Sequence, residues 1–189
     1  MNRAEIDGDV IEACRNGDLA AFQTLFETYK DRVYSMALHF CGNEAMAKDV
    51  TQQVFLKLFT RMKQFRQESG FTTWLYRIVA NACIDEQRAR KRIVPLDPEG
   101  ETRVLASTDS VEENYLRRQL SDSVRAAIAE LKPKLRMPML LKYIEGLSYE
   151  EIAETLGVSM GTVASRLNRG HKILAVKLAH LRGAVLGRD

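Results

Sequence analysis

The sequence predicts an all-α protein made of two small helical domains joined by a flexible linker. Three observations predict it. Apolar residues recur at offsets of three and four over most of the chain, and no stretch alternates apolar with polar residues for long enough to build a sheet. Only four prolines occur in 189 residues, and two of them, Pro95 and Pro98, stand in the one segment where the helical pattern fails. Near the C-terminus, Ser148 to Leu174 has the spacing of a helix-turn-helix.

A short helix is expected from Val10 to Arg15, broken at Asn16-Gly17. Asp18 caps a long second helix, whose stripe of Phe22, Leu25, Phe26, Tyr29, Val33, Met36, Ala37 and Phe40 makes one broad apolar face. Gly42-Asn43 ends it. The third helix, about Glu44 to Lys63, buries Ala47, Val50, Val54 and Leu58 with Phe55 and Met62, and leaves Asp49, Gln52 and Gln53 for another face. The loop from Phe65 to Phe71 combines an arginine with amide and hydroxyl groups and two phenylalanines. It either holds an unstacked base or packs its rings into the core.

Thr72 or Thr73 caps a fourth helix that buries Trp74, Leu75, Ile78, Val79 and Ala82, while Arg77, Asn81, Asp85 and Arg88 recur on another side. It closes on Arg88-Ala89-Arg90-Lys91-Arg92, more cation than a helix C-terminus needs to complement its dipole. Such a tract suits a surface that tracks phosphates.

From Ile93 to Ser110, Pro95, Pro98, Gly100, Ser107, Thr108 and several acids interrupt the pattern. The domains are therefore read as residues 1–92 and 111–189, with 93–110 as linker. A helix resumes from about Val111 to Leu131 and breaks at Lys132-Pro133. The next, Leu135 to Ile144, turns Met139, Leu140, Leu141 and Tyr143 inward, with Pro138 in its first turn.

Ser148 and Glu151 then form a capping box. Ile152, Ala153 and Leu156 give the helix after it an apolar face, and Gly157 permits the tight turn. Ser159 caps the last helix, on which Val163, Leu167, Gly170 and Leu174 share one face. A second helix buried on all sides would not carry Arg166, Asn168, Arg169 and Lys172 together, so it reads as a DNA-reading helix.

Composition narrows the function classes. Hydrophobic residues make up 46% and charged residues 28%, enough for packed cores in a soluble chain. No apolar run approaches a membrane span and the N-terminus lacks a signal-peptide core, so a cytoplasmic protein without direct membrane insertion is expected. Cys14, Cys41 and Cys83 fit neither a disulfide framework nor a metal site and read as buried free thiols. His39, His171 and His180 have no acid or cysteine at ligand spacing, and no glycine motif cradles phosphate. No enzyme, metal, cofactor or small-molecule substrate is indicated. The net charge of +3 hides alternation: residues 61–92 and 131–189 are net basic, residues 1–60 and 93–130 net acidic. Two separated contacts with a polyanion follow from that pattern.

On its motifs the chain resembles the extracytoplasmic-function (ECF) sigma factors, the compact two-domain members of the bacterial sigma-70 family. Asp49-Val50-Thr51-Gln52-Gln53-Val54-Phe55 resembles the region 2 segment that grips the polymerase clamp. Phe65-Arg66-Gln67-Glu68-Ser69 and Thr73-Trp74-Leu75-Tyr76-Arg77-Ile78, with Asn81 and Asp85, resemble the promoter-melting segment. Gly146 to Ala153, and Gly161-Thr162-Val163 with Ser165-Arg166-Leu167, resemble region 4. The order of these motifs, with an acidic linker between, is more specific than any one of them.

The resemblance implies a non-enzymatic sigma factor that binds core RNA polymerase at its clamp and flap and opens promoter DNA. It implies that Asp49, Gln52, Gln53 and Phe55 contact the polymerase. Arg66, Ser69, Phe71, Trp74, Arg77, Asn81 and Arg88 would capture the single-stranded −10 element. Ser159, Thr162, Ala164, Ser165, Arg166, Asn168, Arg169 and Lys172 would face the double-stranded −35 element. An anti-sigma factor is the implied regulatory partner, with Leu56 and Phe59 as docking places if they are not core residues.

Departures matter too. Lys48 and Gln53 stand where the family commonly has acids, and Ala164 where it commonly has a cation, which shifts −35 contacts toward Ser165, Asn168 and Arg169. A dimeric helix-turn-helix regulator would also account for the C-terminal domain, but it leaves the motifs of residues 49–85 without a task.

Overall fold

The computed structural model describes residues 6–65, 70–93 and 123–181, all helix, turn or irregular, with no strand among them. In the first unit, α1 (Gly8–Arg15), α2 (Leu19–Cys41), α3 (Glu44–Arg61) and α4 (Phe71–Ile93) pack together. In the second, helical residues 123–129 (α5) precede α6 (Pro133–Tyr143), α7 (Tyr149–Leu156) and α8 (Met160–Lys177). Both the interior of the expected linker and the expected helix start at Val111 lie outside the described residues.

The caps explain most boundaries. The Asp18 carboxylate accepts from the Ala20 and Ala21 N–H groups at 2.8 and 3.1 Å, satisfying donors that a helix start leaves orphaned. Gly42 ends α2 at φ 69° and donates back to the Leu38 carbonyl, a left-handed stop that favours glycine. Asn43 at once caps α3 by accepting from the Met46 N–H at 3.0 Å. Thr72 and Thr73 do not cap α4. The helix begins one turn earlier, with the Trp74 N–H donating to the Gly70 carbonyl, and Thr73 is buried in its first turn.

Leu25, Tyr29, Val33, Met36, Ala37 and Phe40 of α2 are buried, against Ala47, Val50, Val54, Phe55 and Leu58 of α3. Phe22 and Phe26 lie at the edge of that stripe, Phe26 exposed; Phe22 meets Phe59 and Phe26 meets Phe55 edge-on. Leu56 and Phe59 are not core residues: they are 64% and 49% exposed. Cys14 and Cys83 are buried free thiols, whereas Cys41 is half-buried.

Three expectations in the second unit need correction. Pro133, not Leu135, opens α6, so Pro138 stands in its second turn, buried inside the helix. There it cannot donate to the Lys134 carbonyl as another residue would. Tyr143 points outward, 59% exposed, and its hydroxyl meets His171 Nε2 at 2.6 Å. Met139, Leu140 and Leu141 are buried as expected, and Met137 joins them.

The two units share one hydrophobic cluster, with α4 against α7 and α2 against α6. Arg136 of α6 is 6% exposed and reaches across to donate to the Phe40 carbonyl at the end of α2. It also donates to the Ala129 and Leu131 carbonyls, the latter at 2.9 Å, and its guanidinium lies over the Phe40 ring. Burying an arginine is unfavourable unless its donors find acceptors; these carbonyls supply them for Nη1 and Nη2, while Nε is buried without a partner.

Candidate nucleic-acid interface

The helix-turn-helix is built as its sequence specifies. Ser148 Oγ accepts from the Glu151 N–H at 3.1 Å, and a Glu151 carboxylate oxygen accepts from the Ser148 N–H at 2.7 Å. That reciprocal box fixes the start of α7. Gly157 follows at φ 62°, and the Val158 N–H returns to the Ala153 carbonyl at 3.0 Å, closing the turn. Ser159 Oγ accepts from the Thr162 N–H at 3.2 Å and sets the start of α8.

Helix α8 is sharply two-sided. Val163, Leu167, Gly170 and Leu174 are buried, while Ala164, Ser165, Asn168, Arg169 and Lys172 are exposed with Ser159. Thr162 and Arg166 are half-buried. Ser165 donates its hydroxyl to the Thr162 carbonyl at 3.0 Å, so its oxygen faces outward as an acceptor. A helix with its N-terminal turns exposed, carrying hydroxyl, amide and guanidinium groups on one face, can enter a major groove and hydrogen-bond base edges.

A second surface lies on α3. Asp49, Gln52, Gln53, Leu56 and Phe59 are all exposed, opposite the buried Ala47, Val50, Val54 and Leu58. Their offsets of three and four make one mixed polar and apolar stripe. Phe55 is not in it; it is 6% exposed and packed in the core.

The residues expected around the −10 element divide. Asn81 and Arg88 are exposed on α4, where Arg88 lies 3.8 Å from the Asp85 carboxylate. Phe65 and Phe71 turn inward, 4% and 7% exposed, in edge-on contact with each other and against a half-buried Trp74. Of the two readings of that loop, its phenylalanines adopt the core-packing one; Arg66 and Ser69 lie outside the described residues. Arg77 is half-buried and donates from Nη2 to the Glu154 carbonyl of α7 at 2.9 Å.

Sequence reasoning missed the groups around Arg77. Tyr76 is buried and donates its hydroxyl to the Glu145 carboxylate. Burial and the neighbouring Glu145 charge both push the Tyr76 phenol well above its ordinary value, so it stays a donor. The one sequence signal was Arg136, a cation set directly before the apolar run Met137–Leu141. Among the described residues no group of three His, Cys, Asp or Glu side chains could hold a metal ion, and no helix is long and apolar enough to cross a membrane.

Comparison with known proteins agrees with this layout. The family model for sigma-70 region 2 matches residues 25–93, and that for sigma-70 region 4 matches residues 121–174. The chain is 34% identical over 179 residues to the ECF RNA polymerase sigma factor SigW of Bacillus subtilis, covering 90% of this chain and 96% of that one. It is 40% identical over 167 residues to the ECF RNA polymerase sigma factor SigE of Mycolicibacterium smegmatis, covering 86% of this chain but 65% of that protein's length. Among solved structures, the sigma factor RpoE in complex with the anti-sigma factor NepR from Bartonella quintana superposes with a TM-score of 0.67 at 21% identity, over 84% of this chain and 96% of that one. CnrH in complex with the cytosolic domain of CnrY gives 0.68 at 23%, over 91% and 96%. At those identities the two structures speak to the fold.

Proposed function

This chain belongs to the ECF sigma factors of the sigma-70 family, and from that premise we propose how it divides the work of an RNA polymerase sigma factor among its residues. Residues 1–92 bind core polymerase and melt the −10 element, residues 111–189 read the −35 element, and 93–110 connect them. The chain is a non-enzymatic cytoplasmic subunit that lends core polymerase its promoter choice.

The observation that carries the reading is the two-sided character of α8, with Ser165, Asn168, Arg169 and Lys172 exposed and the opposite face locked into the domain. Such a helix, presenting Ala164 at a central position, binds duplex DNA weakly alone. Tethering to polymerase and to a second promoter element supplies the missing affinity as effective concentration. The α3 stripe of Asp49, Gln52 and Gln53 provides the polymerase contact, and the exposed Leu56 and Phe59 beside it give an anti-sigma factor a place to compete for that contact.

The test is transcription. Adding the purified chain to core polymerase gives promoter-directed transcripts, and Asp49→Ala weakens core binding. A chain that fails to bind core, or a discrete dimer protecting a palindromic operator without polymerase, overturns the reading.

A further inference from the structure

Two of the cysteines meet. Cys41 is the last residue of α2 and is half-buried, whereas Cys83 lies inside α4 and is 0% exposed. The two helices pack together, and the Cys83 S–H donates to the Cys41 sulfur. The third thiol is remote. Cys14 sits near the opposite end of α2, where Asp18 is its charged neighbour. From that end to Cys41 run 23 residues of helix, each rising about 1.5 Å.

The surroundings give the two sulfurs different chemistry. Arg136 donates to the carbonyl of Phe40, the residue before Cys41, and Arg90 Nη1 lies 2.9 Å from Met46 Sδ in the first turn of α3. Cys41 therefore has two guanidiniums beside it, with the Glu86 carboxylate as the opposing charge. Neighbouring cations favour the thiolate, the form that attacks an oxidant. Cys83 has no exposed surface, so no solute reaches it first. An accessible sulfur among cations, with a second thiol behind it, is the arrangement of a reversible oxidation site.

We infer that Cys41 and Cys83 form a reversible modification site for hydrogen peroxide, with Cys41 as the attacking sulfur and Cys83 as the resolving one. In the first step the Cys41 thiolate bonds to one peroxide oxygen and the O–O bond breaks. The departing hydroxide takes up the proton the thiol had released and leaves as water. Cys41 is then a sulfenic acid, its sulfur oxidised by two electrons and the peroxide reduced by the same two. In the second step the Cys83 sulfur bonds to the Cys41 sulfur and the S–O bond breaks. The Cys83 proton goes with the leaving hydroxyl as a second water. Two thiols and one peroxide thus become one disulfide and two waters. A neutral sulfenic acid at Cys41 also removes the charge that disfavours a thiolate at Cys83, so the buried sulfur reacts in its turn. A dithiol reductant reverses the bond by exchange. The site does not depend on what the chain binds elsewhere.

The experiment uses the full chain. Brief treatment with hydrogen peroxide should lower the free-thiol count, measured after denaturation, from three to one. Nonreducing peptide mapping should find Cys41 linked to Cys83, and dithiothreitol should restore all three thiols. At the same dose Cys41→Ala keeps both remaining thiols. Cys83→Ala stops at the first step, and dimedone traps the sulfenic acid on Cys41. Because the sulfurs already touch, the bond forms without distorting the helices, and it closes a ring that contains all of α3. Such a cross-link restricts the unfolded chain, so the oxidised protein should melt several degrees above the reduced one.

A folded chain with no Cys41–Cys83 link overturns the site, as does a link through Cys14 or between two copies. Loss of a thiol from Cys41→Ala at the same dose overturns the order of attack. A bond that forms without raising the melting temperature overturns the fit, since the sulfurs would then have to be pulled together. If circular dichroism shows Cys83→Ala unfolded, the wild-type map and Cys41→Ala decide.

Discussion

Gly170 of α8 lies against Met139 of α6, so close that a Cβ on Gly170 would stand 3.1 Å from the Met139 sulfur and 3.2 Å from its Cγ. The last helix is seated by this approach. With hydrogen in place of a side chain, α8 settles onto α6 and turns Asn168, Arg169 and Lys172 outward.

Gly170→Ala therefore sets two effects against each other. Alanine favours a helix interior by about 1 kcal/mol over glycine, while crowding a packed core costs about 1–3 kcal/mol. Met139 is flexible and can yield by a few tenths of an ångström, so the alanine variant stays within about 1 kcal/mol of wild type. Gly170→Leu has no such relief and loses about 2 kcal/mol or more. Urea denaturation of both measures the difference; equal stability of the leucine variant would refute the close seating.

Ser148→Ala removes one half of the capping box and leaves the Glu151 N–H without its oxygen. Losing an N-cap serine costs about 1 kcal/mol. The expected result is a lower melting temperature with unchanged core-polymerase binding, since Ser148 lies outside the α3 stripe. A variant as stable as wild type would show that the box contributes nothing to α7.

Local chemistry was the legible part. Asp18, Ser148, Ser159 and Gly157 announce their helix ends because caps and left-handed turns depend on a few adjacent residues, and the four buried positions of α8 follow from periodicity alone. Faces at which a helix is apolar on two sides were not legible. Leu56, Phe59 and Tyr143 look like core residues in sequence, yet no neighbouring helix covers them fully. The Arg136–Phe40 contact and the Tyr76–Glu145 pair were illegible for a different reason, because the residues that meet lie 96 and 69 apart in sequence.

Leu56→Ser is the cleanest probe of the α3 stripe. The residue is 64% exposed, so its replacement should change stability by no more than about 0.5 kcal/mol. Core-polymerase affinity, measured by fluorescence titration, should nevertheless fall. Phe59→Ser is less clean, because Phe59 also packs edge-on against Phe22 with ring centroids 5.1 Å apart. Unchanged core affinity in a folded Leu56→Ser chain would remove Leu56 from the interface.

Ser165→Ala and Arg169→Ala act on promoter choice. Both side chains are exposed on α8, and a good side chain–base pair is worth about 1–3 kcal/mol of discrimination. Transcript profiles should shift between promoters by roughly tenfold or more while core binding is unchanged. Ala164→Arg restores a cation at an exposed position and should alter the −35 preference again. Loss of core binding in either alanine variant would show that α8 has been assigned the wrong task.

The cysteine pair gives a pH-dependent signature of the first domain's packing. A hydrogen bond from Cys83 holds the Cys41 thiol below its ordinary value, against the burial that would raise it; nearby Arg136 and Arg90 add to the lowering and Glu86 opposes it. The same hydrogen bond and burial push the Cys83 thiol up, and burial followed by Asp18 raises Cys14. The thiolate is the nucleophile, so a depressed value means more reactive sulfur at a given pH below it. Iodoacetamide should therefore label half-buried Cys41 first, with a rate profile displaced to lower pH than a free thiol's. Cys83→Ala removes the donor and moves that profile back up, whereas Cys83→Ser keeps a donor and preserves more of the displacement. Peptide mass spectrometry across pH 6 to about 9, the range around a free thiol's own titration, reads all three chains. Equal labelling rates at Cys41 and Cys83, or a Cys41 profile indifferent to Cys83→Ala, would show that the two sulfurs do not share a proton.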